Sequence, residues 1–149
     1  MLIDVFDAAF ELEDTNNDEQ VMSGGTASVF KARIKDESMI ENMGFSDVAV
    51  KIMHSQDAIE SFKYEVSIIS SIPTSDFVVR MVGYSMNPMA IIMKYCPLSL
   101  GDMIENEDFL GSPETKFKCC LDIAKGMELI HSKKVIHFDL KPGNNFNTK

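Results

Sequence analysis

The stretch HFDLKPGN, His137 to Asn144, sets a carboxylate, an ammonium and an amide close together between a proline and a glycine. Asp139, held in a loop, is able to accept a hydroxyl proton. Lys141 could neutralise charge on a transferred phosphoryl group. Asn144 supplies an amide oxygen, the ligand type that a hard cation such as Mg²⁺ prefers. The competing reading is a helix-to-strand turn with Pro142 and Gly143 as punctuation.

A second group lies upstream. Lys51, in VAVK, sits inside a strand of otherwise buried type, where an unpaired ammonium costs several kcal/mol. Glu65 falls between Phe62 and Ile69 on the apolar side of a helical pattern, so it too needs a partner. An ion pair between the two would satisfy both and leave the lysine able to touch a phosphate. Two separate surface charges remain the alternative. The third candidate is SGGTAS, Ser23 to Ser28, between two strand-like segments. Glycines there let backbone N–H groups approach phosphate oxygens closely, or simply make a hairpin turn that needs positive φ.

The elements that must position these residues follow from periodicity. Residues 1–20 open with a weak helical spacing (Leu2, Val5, Phe6, Ala9, Phe10) and turn polar in EDTNNDEQ, a loop. VMSGGTASVFKARI predicts a hairpin, KDESMIENMGFSD an exposed connection, and DVAVKIM a strand. Ile59, Phe62, Val66 and Ile69, with Pro73 just beyond, predict a helix. FVVRMVGY and MAIIMKY read as strands joined by a turn at Asn87-Pro88. After Pro97 the pattern is helical, with Ser112 as N-cap, Pro113 at the first position and one apolar stripe from Phe117 to Ile130. Strands with one helix therefore precede helices, and the change falls at about Tyr95 to Pro97.

Composition narrows the classes. Of 149 residues, 45% are apolar and 25% charged, as in a globular rather than a disordered protein. A formal charge of −9 repels phosphate backbones and argues against nucleic acid as a partner. No apolar run is long enough for a membrane span, and the acidic start is unlike a secretory signal. Cys96, Cys119 and Cys120 show neither metal-ligand nor disulfide spacing, which points to reduced thiols and a cytoplasmic location.

Taken in order, these pieces resemble a eukaryotic protein kinase domain from about Val21 to Phe146. VAVK is similar to the family's V-A-I-K, HFDLKPGN to H-R-D-L-K-P-x-N, and IIMKYCPLSL to the last small-lobe strand and hinge. The resemblance implies an α+β, two-lobe fold. A small lobe of antiparallel sheet plus helix αC would occupy 21–94, after an extension over 1–20. The hinge and the start of a helical large lobe would occupy 95–149. It implies ATP and Mg²⁺ as cofactors and transfer of the γ-phosphoryl group to Ser/Thr hydroxyls, Lys141 being the serine/threonine pattern.

By the same resemblance Lys51 holds the α- and β-phosphates, Glu65 is the αC partner, Asp139 the catalytic base and Asn144 a Mg²⁺ ligand. Val29 and Ala49 cover the adenine ring from above, and Phe146 closes it from below. Met93 is the gatekeeper, while Lys94 to Cys96, Tyr95 included, offer backbone groups to adenine. Val21, Gly24 and Gly25 belong to the loop over the phosphates.

Three departures stand out. Met22, Gly24 and Ala27 occupy the places of G-x-G-x-x-G, so only the middle glycine is kept. Phe138 replaces the arginine of H-R-D, which normally pairs with a phosphorylated activation loop. No D-F-G follows Asn144 in these residues, so the expectation is a chain truncated before that motif, with an apolar helix face left uncovered and little catalytic rate. The alternative functions are a non-catalytic module that binds nucleotide or a partner kinase, and a gene fragment.

Overall fold

The computed structural model describes residues 10–12, 20–23, 25–55, 57, 59–105 and 112–147. These form two compact units, one within Met1–Ser70 and Arg80–Tyr95, the other within Ser71–Val79 and Cys96–Lys149. The class is α+β, with an antiparallel sheet and helix in the first unit and mainly helix in the second.

In the first unit, strands β1 (Phe10–Leu12), β2 (Gln20–Ser23), β3 (Ala27–Ile34), β4 (Asp47–Met53), β5 (Met81–Met86) and β6 (Met89–Lys94) make one sheet. Its order is β1-β3-β4-β6-β5, with β2 also on β3, and every pairing is antiparallel. Alternation along β4 sends side chains to two faces. Val48 and Val50 pack with Ala32, Ile34, Ala90 and Ile92, all buried. On the other face Met89 and Ile91 pack against Phe62 and Val66 of helix α2 (Ile59–Ser71). The hairpin, the Asp47–Met53 strand and α2 are where the sequence pattern placed them.

Before Pro97 three segments differ from the pattern. KDESMIENMGFSD is not a bare connection but carries helix α1 (Glu37–Met43). Asp36 caps it by accepting from the Met39 N–H at 3.1 Å, and Gly44 ends it in the left-handed region at φ 76. Met39, Ile40 and Met43 then lie against the Val48–Val50 core, burial that a short helix needs because it is marginal alone. Phe10, counted in a helical spacing, instead opens β1, where it pairs with Ile34; the rest of that spacing lies outside the described residues. The sheet thus reaches into residues 1–20, and the polar run falls between two strands that share one edge of β3.

The strand expected from Phe77 begins at Met81. Phe77 and its neighbours are held by the helical unit instead. Ideal Cβ placement at Gly126 would come 2.6 Å from the Phe77 carbonyl oxygen, so only glycine admits this approach. Lys125 also sets its ammonium 4.9 Å from the Phe77 ring centroid.

The second unit holds β7 (Leu98–Ser99), α3 (Leu100–Ile104), α4 (Pro113–Ser132), a 3-10 turn at Pro142–Asn144 and β8 (Phe146–Asn147), so the stretch after Pro97 is not helical throughout but includes two short paired strands. Ser112 caps α4 through the Thr115 N–H, with Pro113 following, as the sequence indicates. α4 buries Gly126 and Ile130, whereas Phe117 is 72% exposed and Leu121 also faces solvent. The expected apolar stripe is therefore covered only at its C-terminal end. α4 stops in a Schellman arrangement: Val135 N–H donates to the Ile130 carbonyl, Lys134 N–H to that of His131, and Lys134 sits at φ 61. That closure turns the chain into the His137–Asn144 loop.

Candidate functional site

Lys51 lies in β4 with β3 on one side and β6 on the other, paired in register with Val29 and Ile91. Its place in the alternation puts it on the α2 face of the sheet. α2 turns Phe62 and Val66 onto that face, and Glu65 lies on the same side of the helix. Lys51 Nζ meets Glu65 Oε1 at 2.5 Å, with the two side chains 27% and 35% exposed. The pair exists because two amphipathic periods, one of two residues and one of 3.6, bring their polar members to the same face. Separate surface charges are ruled out.

Val29 and Ala49 share this face. Val29 is the direct partner of Lys51 across β3–β4, and Ala49 is opposite Met93 on β6. Neither belongs to the packed cluster under α2, and both stay partly accessible. After β6 the Tyr95 N–H donates to the Asp47 carbonyl at 3.1 Å, and Lys31 Nζ sits 5.1 Å from the Tyr95 ring centroid. Cys96 follows, partly accessible. Burial pushes the Asp47 carboxyl up, but Lys31 and Arg33, both 3.3 Å away, outweigh it and hold the group below the usual carboxylate range.

The turn between β2 and β3 is open. Gly25 is exposed, and a Cβ there would meet nothing within 4 Å. Val21 lies in β2, Met22 is the register partner of Val29, and Gly24 is outside the described residues.

In the second unit Asp139, Lys141 and Asn144 come together. Lys141 Nζ is 2.9 Å from Asp139 Oδ2. Asn144 Nδ2 donates to both the Asp139 carbonyl at 2.9 Å and its Oδ2 at 2.8 Å. Lys141 first, and Asn144 second, hold the Asp139 carboxyl below the ordinary value, so it is ionised at neutral pH. With the amide nitrogen so engaged, the Asn144 oxygen is the group left for a cation.

The loop that carries them is fastened from behind. Asn145 Nδ2 donates to the Lys141 carbonyl at 2.7 Å, Leu100 N–H to the Asn145 carbonyl at 2.6 Å, and β8 pairs with β7. Ser99 and Asp102 form a capping box that starts α3 at the same place. Phe146 enters through its backbone as the Ser99 partner. Nothing in the residue pattern marks Asn145, because its side chain bonds a loop carbonyl four residues back and its carbonyl accepts from Leu100, distant in sequence. The loop remains a helix-to-strand turn in outline, so both readings of its shape describe one structure.

Among the described residues no group of three or more His, Cys, Asp or Glu could hold a metal by itself. The Asn144 side-chain oxygen is a ligand type that suits a hard cation. No described helix is long and apolar enough to cross a membrane.

A family model described as "Protein tyrosine and serine/threonine kinase" matches residues 15–146. The chain is 31% identical to a probable serine/threonine-protein kinase of Dictyostelium discoideum, over 88% of this chain and 10% of that protein. It is 28% identical to serine/threonine-protein kinase 10 of Xenopus tropicalis, over 81% of this chain and 12% of that one. It is 29% identical to the kinase and exchange factor for Rac B of Dictyostelium discoideum, over 91% and 12%. The chain spans about a tenth of the length of these relatives. The order of motifs, the antiparallel sheet with its lysine and helix glutamate, and the matched range agree, and the chain belongs to the protein tyrosine and serine/threonine kinase family.

Proposed function

We propose that this chain binds ATP with Mg²⁺ and serves in transfer of the γ-phosphoryl group to serine or threonine hydroxyls of proteins. The observation that carries the reading is the Lys51–Glu65 pair. A lysine fixed at one end by a carboxylate, on the sheet face that also bears Val29 and Ala49, has its charge aimed and its rotamer chosen before a phosphate arrives.

Asp139 contributes as an ionised acceptor. As the substrate hydroxyl oxygen bonds to the γ-phosphorus, its proton passes to the Asp139 carboxylate, and the bond from that phosphorus to the bridging oxygen of the departing ADP breaks. Lys141, already against Asp139, offers positive charge to the transferred group and supports the serine/threonine assignment. Mg²⁺, when bound, neutralises charge on the phosphate oxygens. Val21, Gly24 and Gly25 would line the phosphates, with Val29, Ala49, Met93, Tyr95, Cys96 and Phe146 around adenine. The reduced state expected of the thiols agrees with a cytoplasmic setting.

The test is ATP protection against thermal unfolding. The parent is expected to gain stability with ATP and Lys51→Met to gain none; equal protection of both overturns the role of Lys51. Phosphate incorporation lost in Asp139→Asn supports transfer. ATP binding with no Asp139-dependent incorporation would leave the non-catalytic, nucleotide-binding module as the reading.

A further inference from the structure

The glycine turn keeps only one of the three glycines of its family pattern, yet its exit is tied down by a residue outside every motif. His54 follows β4 directly, and two of its groups reach the turn. Its backbone N–H donates to the Thr26 carbonyl at 3.0 Å. Its Nε2 lies 2.8 Å from Ser28 Oγ, and Ser28 is buried while His54 is exposed.

We infer that the His54 imidazole is a positioning group for the phosphate groups of the nucleotide, acting through Ser28 beside the backbone bond that residue 54 makes to Thr26. The inference rests on the nucleotide-binding reading above. In a planar trans peptide the carbonyl and the following N–H point in opposite directions. Binding the Thr26 carbonyl toward β4 therefore aims the Ala27 N–H away from β4, to the β2 side where the glycine turn lies. Ser28 is paired with Ile52 across β3–β4, so its side chain shares the face of Val48, Val50 and Ile52. The imidazole thus grips the turn from the face opposite Lys51 and leaves the lysine's face clear. A turn whose backbone amides must point at a ligand cannot use them to hold itself in shape, so the restraint has to come from its flanks.

The experiment compares ATP and adenosine affinities for the whole chain, parent and variants, by titration calorimetry with Mg²⁺ present. His54→Ala should raise the ATP Kd about five- to tenfold, the loss of roughly one hydrogen bond's worth of positioning, with adenosine affinity unchanged. Ser28→Ala should do the same, and Ser28→Thr and His54→Gln should recover most of the difference. A merely structural role would weaken both ligands alike, and that result overturns the inference. So does an unchanged ATP-to-adenosine ratio in His54→Ala when Lys51→Met has lost ATP. A parent chain with no affinity for ATP would sink the nucleotide reading and this inference together.

Discussion

Asn144 grasps Asp139 twice, at the carbonyl and at the carboxylate, from a single amide nitrogen. The side chain expected to face a cation is thereby also the one that orients the expected base. Amide and carboxylate form a unit, and a change at either residue is a change at both.

That coupling has a pH signature. In the folded chain Lys141 and then Asn144 lower the Asp139 carboxyl below its ordinary value. A depressed carboxyl adds stability above the ordinary carboxylate range, and the contribution fades as pH falls through the folded value. Lys141→Met and Asn144→Ala should each move the Asp139 midpoint upward, toward the ordinary value, with the lysine change the larger. A carboxyl ¹³C titration reads this directly, and an unmoved midpoint in both variants would contradict the contacts.

The Lys51–Glu65 pair should show coupling in a double-mutant cycle of Lys51→Met and Glu65→Gln. Both side chains are about one-third exposed, so screening limits the coupling to about 0.5–1 kcal/mol in urea unfolding. Zero coupling would mean the two side chains are not held together in solution.

Two glycines should respond oppositely to the same substitution. Within a helix Gly→Ala ordinarily stabilises by about 1 kcal/mol. At Gly126 the new methyl would sit 2.6 Å from the Phe77 carbonyl oxygen, and the overpacking cost of about 1–3 kcal/mol outweighs that gain. Gly126→Ala should therefore lower the melting temperature and loosen the Phe77 segment in hydrogen exchange. Gly25→Ala, with open space around it, should leave the melting temperature of the unliganded chain unchanged.

Backbone handedness makes a further pair. Lys134 ends α4 at φ 61, a conformation costing an L side chain about 1 kcal/mol, whereas Gly44 ends α1 at φ 76 without that cost. Lys134→Gly should raise unfolding stability by about 0.5–1 kcal/mol, and Gly44→Ala should lower it by a similar amount. Chemical denaturation of the two variants checks both signs, and a destabilised Lys134→Gly would refute the strain at that position.

What could be read without coordinates was whatever local periodicity and residue chemistry encode. The period-two run Asp47–Met53 and the period-3.6 run Ile59–Ser71 were legible because each buries one side. Lys51 and Glu65 followed because a charge on a buried pattern requires a partner. Helix α1 was missed because its pattern is short and its stability comes from Met39, Ile40 and Met43 meeting a sheet distant in sequence. Phe77–Val79 read as strand because its side chains are apolar and β-prone; the absence of a Cβ at Gly126 assigned it elsewhere. His54, Asn145 and the double grasp of Asn144 on Asp139 belong to the tertiary structure alone. Each depends on a hydrogen bond between particular atoms, and a sequence specifies such atoms only after the chain has brought them within three ångströms.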